Sequence, residues 1–153
     1  MRGMTTHVLP ATDERVPLHT RPRDNHRIQA RTLHDVGRYF GASDETISTR
    51  IAELEREWDI ERTLEANAAT VTLVGLTLGV VADRRFLLLP FAVAGFLLQH
   101  ALQGWCPPLP ILRRLGIRTS AEIHQEILAL RILRGDFIEK PVYPESLLAI
   151  AAN

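Results

Sequence analysis

Six side chains in the middle of this chain are of types that carry chemistry: Glu65, Asn67, Gln99, His100, Gln103 and Cys106. A carboxylate and an imidazole can pass a proton or hold a ligand. A thiol followed by proline, as in Cys106-Pro107, can ligate haem iron or carry a persulfide. The spacing argues against a joint ligand set, because His100 lies six residues before Cys106, off the helical face that paired ligands need. His124, in Glu122-Ile123-His124-Gln125-Glu126, has no second ligand at metal spacing either. No nucleophile–base pair, Gly-rich phosphate loop or zinc motif is visible, so no catalytic residue, metal or cofactor is expected and the chain reads as a non-enzyme. Cys106 and His100 remain the candidate cofactor positions, against the commoner role of a single Cys as a small apolar packing residue.

The elements that must hold these residues are two uncharged stretches. The first covers residues 66–82; the second starts at Phe86 and has no Asp, Glu, Lys or Arg until Arg113. Only Asp83-Arg84-Arg85 separates them. A helix needs about 20 apolar residues to cross a bilayer, with a range of roughly 17–25. A short link returns the second stretch beside the first. The expectation is an all-α membrane protein built on a two-helix transmembrane hairpin over 66–106, with spans near 66–82 and 86–105. The first span is the weaker, since three Thr, two Gly and Asn67 dilute its Leu and Val. The alternative is a soluble hairpin inside a large core, for which 153 residues leave little chain.

Counting outward from residue 84 places Asn67 level with Gln99 or His100, and Glu65 level with Gln103. Polar groups at membrane depth are costly without partners. Contacts among Glu65, Asn67, Gln99, His100 and Gln103 are therefore predicted, as a network that fixes helix register in preference to a proton, ligand or metal site. Trp58 and Trp105 suit an interfacial aromatic belt on the same side. Gly75 and Gly79 form a small-xxx-small pattern that allows close helix packing, against the second span or against a second copy.

Composition is consistent with a greasy middle between polar flanks: 46% hydrophobic residues, zero net charge and a mean hydropathy near zero. Zero net charge gives no electrostatic footprint for nucleic acid. One Cys rules out an intramolecular disulfide framework. The first residues lack the apolar core of a signal peptide. Arg50, Arg56 and Arg62 precede the hairpin and Arg113, Arg114 and Arg118 follow it, against Arg84 and Arg85 at the tip. The positive-inside rule then puts both termini of a multi-pass membrane protein on the cytoplasmic side.

Around the hairpin, residues 1–42 hold isolated apolar residues among many Arg and His, and read as a disordered basic tail able to meet anionic lipid. Residues 43–65 read as a cytoplasmic juxtamembrane helix. Ser43 is its N-cap, Ile47, Ile51, Leu54 and Trp58 form one stripe, and no Gly or Pro stops it from running into the first span. Residues 107–153 begin with a proline turn. A short segment follows in which Arg113 and Arg114 would meet phosphates, and then an amphipathic helix opened by a Thr119–Glu122 capping box and closed by Gly135.

Gln103-Gly104-Trp105-Cys106-Pro107-Pro108, followed by Leu112-Arg113-Arg114-Leu115-Gly116-Ile117-Arg118-Thr119, resembles the exit of the second helix in a small bacterial inner-membrane family. That family, of unknown function, is typified by the YgaP-like transmembrane (rhodanese-associated) domain. The resemblance covers about residues 66–120. It implies a membrane anchor or assembly module and transfers no catalysis, because no stretch here has the length or alternation of an α/β rhodanese. Three functions follow. The leading one is a non-catalytic anchor, assembly factor or accessory subunit, partnered by the lipid bilayer and by a second copy or a larger membrane complex. The others are a redox or sulfur-handling component using Cys106, and a small oligomeric transporter or channel.

Overall fold

In the computed structural model, residues 9–137 are described. The expected tail segments at 1–8 and 138–153 lie outside them. The described residues form helices and no strand. In chain order they are α1 (Arg15–Leu18), α2 (Pro22–Gly37), α3 (Asp44–Leu54), α4 (Ile60–Val81), α5 (Leu88–Gln103), α6 (Leu109–Leu115) and α7 (Ser120–Arg134). A 3-10 turn, Arg84–Leu87, joins α4 to α5.

Local chemistry sets most of these boundaries. The Ser43 hydroxyl accepts from the Thr46 N–H and starts α3. Thr119 and Glu122 make the reciprocal capping box that starts α7, and Gly135 ends it in the left-handed conformation at φ 90°. Pro22 occupies the first turn of α2, where its missing N–H costs nothing.

The helices sort into a polar base and an apolar pair. In the base, Ile47, Ile51 and Leu54 of α3 pack on Ile123, Ile127 and Leu130 of α7. A second cluster joins Val16 of α1, Ile60 and Leu64 of α4, and Cys106 and Leu109 beyond α5. Above the base, α4 and α5 run side by side in opposite directions. α4 and the helical stretch Arg84–Gln103, which is the 3-10 turn with α5, are long and apolar enough to cross a membrane, and only 17% and 6% of their most apolar stretches are buried.

Two expectations fail here. Residues 9–42 are not a disordered tail, because α1 and α2 are held by specific partners: Val16 and Ile28 are buried, and Thr20 and Asn25 bond to a buried arginine. Nor does α3 continue into α4 as one rod. Glu55–Asp59 form a turn, the Asp59 carboxylate accepts from Arg62 N–H, and the freed Ile60 N–H donates to the Arg118 carbonyl at 2.8 Å. An N-cap and a tertiary acceptor break the helix without Gly or Pro.

One glycine joins base and helices. Gly104 ends α5 at φ 79°, and a Cβ there would lie 2.4 Å from the Arg15 carbonyl oxygen. Gly116 has φ 86° but open space around it. Gly116→Ala should therefore cost only the left-handed backbone penalty, about 1–2 kcal/mol. Gly104→Ala should cost that plus displacement of α1. Thermal unfolding of the purified full-length pair checks this, and equal shifts would rule out the Arg15 contact as a constraint.

Candidate functional site

The polar groups at the foot of the apolar pair make the first cluster of interest. His100 is 4% exposed, and its Nε2 donates to Glu61 Oε2 at 2.9 Å. Glu61 Oε1 accepts from Arg15 at 2.9 Å, and the same guanidinium donates to the Ala101 carbonyl at 2.9 Å. The left-handed turn at Gly104 swings the chain back, so that Cys106 is buried beside the His100 imidazole. The two residues that sequence spacing holds apart are thus neighbours. Arg15, Glu61, His100 and Cys106 tie α1, α4, α5 and the turn after α5 to one point.

The second cluster lies within the base. Arg113 is fully buried, and all five of its N–H donors are used. Nε donates to Thr20 Oγ1, one terminal nitrogen to the Ile117 carbonyl and Glu122, and the other to Asn25 and Glu122, over 2.7–3.1 Å. The expectation that Arg113 meets lipid phosphates is overturned: the guanidinium points into the protein, where five acceptors replace water. Arg27 extends this node by donating to the Arg114 carbonyl at the end of α6 at 2.5 Å. The third cluster is built on Glu126, which is fully buried. It accepts from Arg50 at 2.9 Å and from Arg118, and Arg118 also donates to Glu57 at 2.9 Å.

Burial raises the Glu122 carboxyl, but the Arg113 guanidinium together with the Thr119 N–H and hydroxyl outweighs this and holds it below its ordinary value. Arg118 loses by burial and gains more from Glu57 and Glu126, so its guanidinium stays charged well above neutral pH.

The sequence-predicted residues divide sharply. Ile47, Ile51 and Leu54 are buried as a stripe, whereas Trp58 turns outward, 52% exposed, with the Arg62 guanidinium 4.5 Å from its ring centroid. Trp105 is half-buried against the second cluster. Gly75 faces α5 and Gly79 the 3-10 turn before it: a Cβ at Gly75 would lie 2.7 Å from Pro90 Cδ, and one at Gly79 would lie 2.4 Å from Leu87 Cδ2. Of the five residues predicted to form a polar network, only His100 reaches across the helix pair, and its partner is Glu61, not Glu65. Asn67 donates back to its own helix at the Thr63 carbonyl. Glu65, Gln99 and Gln103 make no side-chain hydrogen bond among the described residues. The cause is register. The reversal begins at Ala82–Asp83, where the Asp83 carboxylate accepts from Arg85 N–H. The partner of His100 falls six residues nearer the N-terminus than Asn67, which counting placed level with it.

Arg15, Arg113, Arg118 and Glu126 carry roles that sequence reasoning missed, and Glu122 adds an ion pair with Arg113 to its expected capping box. Glu126 left a signal, since it interrupts the stripe Ile123, Ile127, Leu130 on one face of α7. A charge within a buried stripe requires an opposite charge from another element. Among the described residues, no group of three or more His, Cys, Asp or Glu is placed to hold a metal ion. No protein-family model, curated protein or solved structure matches the chain.

A group whose folded pKa is depressed stabilises the fold above its unfolded pKa and loses that contribution as pH falls through the folded value. For Glu122, stability should therefore decline below pH 4.5, the ordinary carboxyl value. Glu122→Gln should be less stable than the parent at pH 7 and show a shallower acid decline. Unfolding midpoints measured from pH 7 to about 3 check this, and parallel curves would remove the Arg113–Glu122 pair as the acid-sensitive contact.

Proposed function

We propose that this chain is a non-catalytic, multi-pass membrane protein of the bacterial inner membrane, a hairpin anchor carrying a cytoplasmic helical base for assembly with other subunits. The observation that carries this reading is the contrast between the two halves. Val80, Phe91, Val81 and Leu88 are 84%, 81%, 79% and 71% exposed on α4 and α5, while the base buries Arg113 and Glu126 completely. Soluble monomers rarely leave apolar surface of this extent open to water. A bilayer satisfies it, and the helices already satisfy their own backbone groups, as hydrocarbon requires.

The basic residues that flank the pair favour a cytoplasmic base, with the Arg84–Arg85 tip outside. Exposed apolar residues on α6 and α7, notably Ile111, Leu115, Leu128 and Ile132, give the base further surfaces for lipid or a partner. The resemblance of residues 103–119 to the YgaP-like module supports an anchoring role. Gly75 and Gly79 are taken up within the hairpin, so a homo-oligomer or a larger complex would form through other faces. A second reading, sulfur or haem chemistry at Cys106, draws support from its position beside His100.

The protein should remain in the membrane pellet after alkaline carbonate extraction. A cysteine placed at Arg84 in a Cys106→Ser background should react with an impermeant maleimide added to intact spheroplasts. Release into the supernatant would refute the anchor, and labelling only after lysis would reverse the orientation. Native mass measurement in mild detergent should give an oligomer or a stoichiometric complex, and a lone monomer would end the assembly reading. Under the second reading, Cys106→Ser should abolish bound haem or sulfane sulfur, and unchanged content would dismiss it.

A further inference from the structure

Between α2 and α3 lies an open, almost wholly polar hollow of about 180 Å3, lined by Arg31, Asp35, Arg38, Tyr39 and Arg50. Three guanidinium groups meet one carboxylate there. Arg50 is already committed, to Glu126 at 2.9 Å and to Glu53 at 3.3 Å, and Glu126 is shared with Arg118. Among the described residues Arg31 has only Asp35, at 3.7 Å, and its side chain is 73% exposed. Asp35 also meets His34 at 3.4 Å. The side chain of Arg38 and the hydroxyl of Tyr39 make no hydrogen bond among the described residues. The hollow thus offers more donors than acceptors and an excess of positive charge over the single lining carboxylate.

We propose that this hollow binds a phosphate group, with Arg38 and Arg31 as its cationic ligands and the Tyr39 hydroxyl as a further donor. Guanidinium forks match the paired oxygens of phosphate in a way that a point charge does not. Several forks around one space suit a tetrahedral, multiply charged oxyanion better than a carboxylate. The size selects too, because small-molecule pockets usually span about 300–1,000 Å3. A phosphate or a small phosphomonoester fits within the hollow. The phosphate can come from a lipid headgroup or from a free phosphate ester. The inference stands apart from the anchor reading, since it concerns only the polar base.

The test uses the full chain in micelles of a maltoside detergent, which carries no phosphate, titrated with inorganic phosphate and followed by calorimetry. Saturable binding is expected, weakened by added salt. The Arg31→Ala/Arg38→Ala pair should lose about tenfold or more in affinity, since hydrogen bonds to charged groups are the strong ones. The Arg21→Ala/Arg23→Ala pair, equal in charge and outside the hollow, should bind as the parent does. Absence of saturable binding, full binding by the Arg31/Arg38 pair, or an equal loss in the Arg21/Arg23 pair would overturn the proposal. If the alanine pair does not fold, Arg31→Lys/Arg38→Lys keeps the charge and removes the forks. It should also weaken binding, and undiminished affinity would equally overturn the proposal. Nanodiscs containing phosphatidic acid separate the sources. A headgroup ligand should block added phosphate, whereas unchanged titration identifies free phosphate as the ligand.

Discussion

Arg113 is the constraint on which the base depends. A guanidinium removed from water needs all five donors met, and leaving one partner out of a buried pair costs about 3–5 kcal/mol. The chain meets that demand from four places: Thr20 and Asn25 before and within α2, the Ile117 carbonyl after α6, and Glu122 at the start of α7. The supporting groups are themselves fixed. The Thr20 hydroxyl donates to the Val16 carbonyl and the Asn25 amide to the Pro17 carbonyl, so each presents its lone pairs to Arg113. One buried cation therefore dictates where α1, α2, α6 and α7 meet. Apolar contact alone is too sparse to do this, since only Val16 of α1 and Ile28 of α2 contribute buried apolar side chains.

The Glu126 node acts similarly on the other side of the base. It draws Arg50 of α3 and Arg118 of the α6–α7 connection toward α7, next to the Ile47–Leu130 cluster. Buried ion pairs of this kind are weak evidence for net stability, because desolvation offsets most of their attraction. What they supply here is geometry. The α3–α7 contact is an apolar stripe that could slide by a turn, and Glu126 accepts its two arginines in only one register. The Arg118 carbonyl also receives the Ile60 N–H, so the same connection sets where α4 begins.

What was legible in the sequence was what is decided locally. The apolar lengths that become α4 and α5, the Ser43 cap, the Thr119–Glu122 box, the Gly135 stop and the Ile47–Leu54 stripe all follow from residue type and spacing. What was not legible depends on distant partners. Residues 15–37 have too few apolar side chains to announce a folded segment, and they are ordered by polar contacts with residues about ninety positions away. The break at residues 55–59 carries no helix breaker, and Asp59 reads as one more acid in an acidic run until its carboxylate is seen accepting from the Arg62 N–H, next to the Ile60 N–H that donates to the Arg118 carbonyl. Register across the apolar pair was missed too, since His100 meets Glu61, six residues before the Asn67 that counting from the midpoint of the charged link placed level with it. The candidate site shifted accordingly. His100 was visible as a polar group in an apolar helix, but its partner Glu61 was hidden behind the better-placed Glu65.

The clamp at Arg15 links the two halves of the molecule. Its carbonyl sits against Gly104, where no side chain fits, and its guanidinium spans from Glu61 at the start of α4 to the Ala101 carbonyl near the end of α5. Any change in the separation of α4 and α5 at their polar end must stretch this residue or release it. Arg15 belongs to α1, α1 leads directly into Thr20, and Thr20 is a ligand of Arg113. A spreading of the apolar helices is thus transmitted along a continuous chain of short contacts into the packing of α2 and α7. The apolar pair and the polar base are therefore joined through one residue run, from Glu61 and Ala101 by way of Arg15 and Thr20 to Arg113.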